Sequence, residues 1–140
     1  MADGVSGWSK MGVDSGIYSR KLLTYIKDLI EGSHYLYYIE HPDELALKAV
    51  QMTEERGSST LTLLTLHPHT GTLRSFHVGD SVFGIFHRNG SHMIAEEQQK
   101  EFDMPYQVYG GKINIIEPSS RGSMRPSDVV NGVYNQFSAF

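Results

Sequence analysis

At Ser58 the apolar pattern of this chain changes period, and that switch limits what it can fold into. Before it, Ile17–Ile30 places apolar residues at Ile17, Leu22, Tyr25, Ile26, Leu29 and Ile30, with Lys21, Lys27 and Asp28 between them. That spacing predicts an amphipathic helix. Asp14 or Ser15 suits its cap and Gly32 its stop. His41-Pro42-Asp43-Glu44 predicts a second helix start, because proline fits the first helical position and acidic groups favour the first turn. Leu45, Ala46, Ala49 and Val50 would form its apolar stripe, and Arg56–Gly57 its end. Residues 9–16 read as a loop. Tyr35–Ile39 reads as a helix end or an extended linker, with Tyr35, Tyr37 and Tyr38 packing.

After Ser58 the runs are short and rich in threonine and branched residues. Thr60–Leu66, Thr72–Val78, Val82–His87 and Ser91–Ala95 predict four strands. HPHTG at 67–71 is a turn by composition, Gly79-Asp80-Ser81 interrupts, and Asn89–Gly90 is a strong hairpin signal. Residues 58–95 are thus expected as an antiparallel meander following two helices. That order predicts an α+β fold with helices on one face of a sheet. Beyond Ala95 the run 96–108 is polar with a proline break. Lys112–Glu117 reads as a further short strand, 118–128 as loop and 118–140 as an irregular tail.

Composition removes several functions. The 140 residues, 39% hydrophobic and 20% charged, can bury a core in at most one domain. A net charge of -4 with no basic cluster argues against nucleic acid and against a membrane surface as partner. No apolar run is long enough to span a bilayer, and no basic-then-apolar leader is present. Without cysteine, a metal would need carboxylate, imidazole or backbone oxygen.

Two acidic corners stand out. Asp3-Gly4, inside MADGVSGW, pairs a carboxylate with a backbone able to turn sharply. Asp80, in Gly79-Asp80-Ser81, sits between two strands. Each alone is an ordinary turn; together they suit Mg2+ or Mn2+ and an activated water. His67, His69, His77, His87 and His92 lack the helical spacing of a zinc site. Gly57–Thr60 lacks the phosphate-loop pattern, and Ser58 and Ser59 lack a nucleophile elbow.

Five fragments in order, ADGVSGW (2–8), GVDSGIYSR (12–20), GSSTLTLLTL (57–66), HVGDSVF (77–83) and EEQQKEFDMPYQV (96–108), resemble the metal-dependent type 2C Ser/Thr protein phosphatases. The resemblance is greatest to the branch of mitochondrial T-cell-activation-type phosphatases and their plant relatives. Ser6 and Val82 replace glycines of that pattern.

The resemblance implies an α-β-β-α sandwich of antiparallel sheets flanked by helices. It implies two metals, Mg2+ or Mn2+, and a bridging water that attacks phosphoserine or phosphothreonine in a phosphoprotein substrate. Asp3 matches the carboxylate bridging both metals, Gly4 the glycine offering its carbonyl, and Asp80 an aspartate serving an additional metal. Gly57–Thr60 matches a structural motif opening a strand.

The family's acidic strand before ADG, its later Asp-Gly-x-x-Asp and its final Asp-Asn pair have no counterpart here. The expectation is therefore a partial domain over 1–117, truncated at both ends, with 118–140 as a tail. The alternative is an inactive truncated isoform or fragment acting as an interaction module. The branch implies a soluble protein of the mitochondrion or plastid, with no targeting segment in this chain. Oligomeric state is not legible.

Overall fold

The structure, a computed structural model, describes residues 1–101, 104–110 and 130–134. Among the described residues the fold is α+β, with three α-helices followed by short antiparallel strands. A 3-10 helix, Ser6–Met11, occupies part of the expected loop. Helix α1 spans Ser15–Glu31, and Asp14 caps it by accepting a hydrogen bond from Gly16 N at 2.8 Å. It stops before Gly32, as expected, but Gly32 is extended rather than left-handed.

Tyr35–Glu40 is a helix of its own, α2, rather than a tail or linker. Tyr38 rests on the core, and Tyr37, though partly exposed, packs its ring on His41 at 4.5 Å and edge-on to Tyr38 at 5.7 Å, while Tyr35 is exposed, contrary to the packing role expected of it. Helix α3, Pro42–Met52, ends short of Arg56–Gly57. The Thr53 hydroxyl bonds back to Ala49 O at 2.8 Å while its backbone turns extended, which closes the last helical turn.

The apolar stripes explain the layering. Tyr18, Leu22 and Ile26 of α1 share a core with Leu45, Ala46, Ala49 and Val50 of α3. The buried alanines let the two helices approach closely. Beneath them lie Leu61 and Leu63 from strand β2, Leu61–Leu66, and Phe76 and Val78 from β3, Leu73–Val78. The two strands pair antiparallel from Leu61↔Val78 to Leu66↔Leu73. Alternation sends Leu64 and Leu66 to the opposite face, where both are exposed.

The expected meander is two separate hairpins. Gly84–Phe86 and His92–Ile94, labelled β4 and β5, pair around Asn89–Gly90. Strand β3 does not continue to β4. Gly79, at φ +108°, turns the chain out of the sheet, and the free side of β3 is taken by Val130–Tyr134 with His77↔Val130 and Leu73↔Tyr134. The expectation of an irregular 118–140 is corrected at that segment.

Further short pairings join Gln99–Glu101 to Met104–Pro105, and Val108–Tyr109 to Ser58–Ser59. In chain order Ser58–Ser59 is β1, Gln99–Glu101 is β6, Met104–Pro105 is β7, Val108–Tyr109 is β8 and Val130–Tyr134 is β9. The strand expected at Lys112–Glu117 and the loop at 118–128 lie outside the described residues. No helix among the described residues is long and apolar enough to cross a membrane.

Candidate functional site

Asp3 is held firmly by an extended pairing with residues 58–62. Residues 1–5 run extended and antiparallel to 58–62. Met1 N donates to Thr62 O at 2.7 Å, and Thr62 N donates to Met1 O at 2.9 Å. Thr60 N donates to Asp3 O at 2.9 Å, and Val5 N to Ser58 O at 3.1 Å. Gly4 is bridged to Ser59 as the intervening pair. In an antiparallel ladder that position turns its N–H and C=O away from the partner, so the Gly4 carbonyl faces outward. A Cβ on Gly4 would lie 2.1 Å from Ser15 O, so only glycine lets this segment pass the start of α1.

Asp80 follows Gly79 at the end of β3, and its turn is clamped from two sides. Gln98 N donates to Gly79 O at 2.9 Å and Gly79 N to Gln98 Oε1 at 3.3 Å. From the sheet, Thr62 Oγ1 donates to Ser81 O at 2.6 Å. Thr60 Oγ1 lies 2.9 Å from Ser81 Oγ and also accepts from Asp3 N at 3.2 Å. One threonine hydroxyl thus ties the Asp3 segment to the Asp80 turn. Four distant segments, 1–5, 58–62, 77–81 and 96–98, meet there.

The donor chemistry fits a hard divalent cation in part. Asp3 is exposed and Asp80 half-buried, and among the described residues neither is in an ion pair with a lysine or arginine. With the outward carbonyl of Gly4 they supply oxygen donors only, as Mg2+ or Mn2+ prefers. Among the described residues, no three histidine or acidic side chains cluster as a metal-holding group. This set therefore amounts to a portion of a metal shell.

The histidines are dispersed. His67 Nδ1 accepts from His69 N and Thr70 N at the β2–β3 hairpin tip, and His92 stacks on Phe86. His77 is fully buried beside Thr62, edge-on to Phe83. Burial lowers its pKa below the ordinary value; the neighbouring Glu96 and Gly79 backbone and the Asp80 charge oppose that effect.

Sequence reading missed Thr60, Thr62, Ser81 and Gln98. The signal was the Thr60-Leu61-Thr62 alternation, which puts both hydroxyls where Ser81 can reach them.

No family model matches the chain. It is 34% identical over 113 residues to the protein phosphatase PTC7 homolog fig of Drosophila grimshawi, which covers 77% of this chain and 36% of that protein. It is 32% identical over 132 residues to the probable protein phosphatase 2C 80 of Arabidopsis thaliana, covering 94% of this chain and 31% of that one. Its structure superposes on the X-ray structure of the photosystem II phosphatase PBCP with a TM-score of 0.74 and 28% identity. That match covers 97% of this chain and 49% of the other.

This chain belongs to the type 2C protein phosphatases. It represents part of their domain, spanning about a third of the length of the curated relatives it matches. Asp3, Gly4 and Asp80 are the oxygen-bearing residues of the corner that the Thr60 hydroxyl joins. Gly57–Thr60 then has a structural part in the type 2C scaffold, opening the β1–β2 edge along which Asp3 is laid.

Proposed function

We propose that the domain containing this chain hydrolyses phosphoserine and phosphothreonine in protein substrates with Mg2+ or Mn2+. The observation that carries the reading is the likeness to phosphatases over nearly the whole chain, in sequence and in structure. In this reading Asp3 and the Gly4 carbonyl face the principal metal site, and Asp80 faces an additional, adjacent one. When bound, the metal supplies the positive charge that polarises the phosphate and acidifies an attacking water. This chain's own part is to hold three oxygen donors on a rigid sheet edge, Asp3 by ladder hydrogen bonds and Asp80 by the threonine and glutamine clamps. Further ligands come from parts of the domain outside the relatives' matched third.

The motif resemblance supports a mitochondrial or plastid setting, and the likeness to a photosystem II phosphatase is in keeping with a plastid one. The test is hydrolysis of a phosphothreonine peptide with Mn2+ by the protein carrying this chain. Turnover that falls to background in Asp3→Asn supports the reading; turnover equal in wild type and Asp3→Asn sinks it.

A further inference from the structure

We infer that Thr60 is a positioning residue of the proposed metal corner, setting the spacing between the Asp3 and Asp80 carboxylates. The inference rests on the metal reading above and goes beyond it, to a residue that offers the metal no ligand. Thr60 is 2% exposed, and its hydroxyl is the side-chain group among the described hydrogen bonds that meets both Asp3 itself and the residue after Asp80. On one side it accepts from Asp3 N, replacing the backbone carbonyl that would normally complete this rung of the ladder. Thr60 O is engaged instead by Ser59 Oγ at 2.7 Å. On the other side it meets Ser81 Oγ at 2.9 Å, one residue from Asp80.

The same side chain fixes the identity of its neighbour. A Cβ on Gly79 would come within 2.6 Å of Thr60 Cγ2. The methyl therefore seats the Gly79 backbone, while the hydroxyl holds the turn that follows. Thr62 adds a parallel tie to Ser81 O but touches Asp3 through no side-chain bond among the described contacts. Thr62 reaches the N-terminal segment through its backbone pair with Met1, whereas Thr60 meets Asp3 and Ser81 with the same hydroxyl.

Partners that orient metal ligands from behind change affinity without touching the ion, by about tenfold or more. The test is Mn2+ titration calorimetry on the full chain, alongside thermal unfolding without metal. Wild type is compared with Thr60→Val, Thr60→Ser, Ser81→Ala, the Thr60→Val/Ser81→Ala double variant, Asp3→Asn and Asp80→Asn. Thr60→Val is expected to weaken Mn2+ about tenfold, Thr60→Ser to restore wild-type affinity, and the double variant to be no weaker than Thr60→Val alone. Should Thr60→Val fail to fold, a tenfold loss in folded Ser81→Ala carries the same support.

Unchanged affinity in Thr60→Val or, where that variant is unfolded, in Ser81→Ala overturns the positioning role while leaving the metal reading intact, provided Asp3→Asn weakens binding. Equal losses in Thr60→Val and Thr60→Ser, tracking a lowered unfolding temperature, also overturn it. No Mn2+ binding by wild type, or binding indifferent to both Asp3→Asn and Asp80→Asn, overturns the metal reading and the inference together.

Discussion

His77 Nδ1 lies 3.0 Å from Thr62 Oγ1, across a rung of the β2–β3 ladder. Thr62 has one proton and donates it to Ser81 O at 2.6 Å. The threonine must therefore accept from the imidazole, which places the ring proton on Nδ1. Nε2 is left bare and buried, with no hydrogen-bond partner among the described residues. A second proton would have to enter that site.

A pH dependence of stability follows. In the unfolded chain the imidazole titrates near ~6.5, and burial holds the folded value lower. Stability due to the neutral ring is complete above that unfolded value and declines as pH falls through it toward the folded one. Urea unfolding at pH 7.5 and 5.5 should show a larger acid loss in wild type than in His77→Gln. Equal losses would mean that His77 does not carry the effect.

Gly79→Ala should destabilise the chain by about 2 kcal/mol or more, from strain at positive φ and from overpacking. The new methyl would meet Thr60 at 2.6–2.8 Å and Tyr106 O at 2.8 Å, at a φ of +108°. Chemical denaturation checks this; a change below about 0.5 kcal/mol, the range of neutral surface substitutions, would contradict the packing described.

Tyr18→Phe should leave stability unchanged or raise it by roughly 1 kcal/mol. Tyr18 is fully buried, and its hydroxyl lacks a hydrogen-bond partner among the described residues. Burial first, then the nearby Glu55 charge, pushes its pKa up to about 12. Removing the oxygen relieves a desolvated donor while keeping the ring in the core. A thermal unfolding midpoint several degrees lower in the variant would show that the hydroxyl has a partner.

Ser58→Ala should cost about 1 kcal/mol or more by breaking a hydrogen-bond chain. Trp8 Nε1 donates to Ser58 Oγ at 2.7 Å, and Ser58 Oγ donates to Gln107 Oε1 at 2.7 Å. The indole also stacks on Tyr109 at 5.7 Å. As the chain has a single tryptophan, its emission reports this site directly. A shifted emission maximum together with lower stability is expected, and an unaltered spectrum would speak against the contact.

The parts of this fold that were readable are those whose signal is local. Periodicity marked α1 and the apolar stripe of α3, and turn chemistry marked the hairpins at 67–71 and Asn89–Gly90. The lost parts depend on partners far along the chain. Nothing in MADGV alternates, so its ladder with 58–62 could not be seen, and two-residue pairings such as Ser58–Ser59 with Val108–Tyr109 are too short for any periodicity.

At the candidate site, Asp3, Gly4 and Asp80 were legible as acidic corners. The hydroxyls joining them looked like ordinary strand threonines, because propensity reports a residue's preference and not its hydrogen-bond partner. The break after β3 was visible as Gly79-Asp80-Ser81, but a turn and a departure from the sheet look alike in sequence.

Strand β3 holds two ladders of very different reach. Its bonds to β2 close a loop of a few residues, whereas its bonds to β9 join His77 to Val130. Closing the longer loop carries the larger entropy loss and so belongs late in folding. During that interval β3 is a bare edge beside a formed hairpin, and the time it stays bare sets how readily another chain could pair with it first.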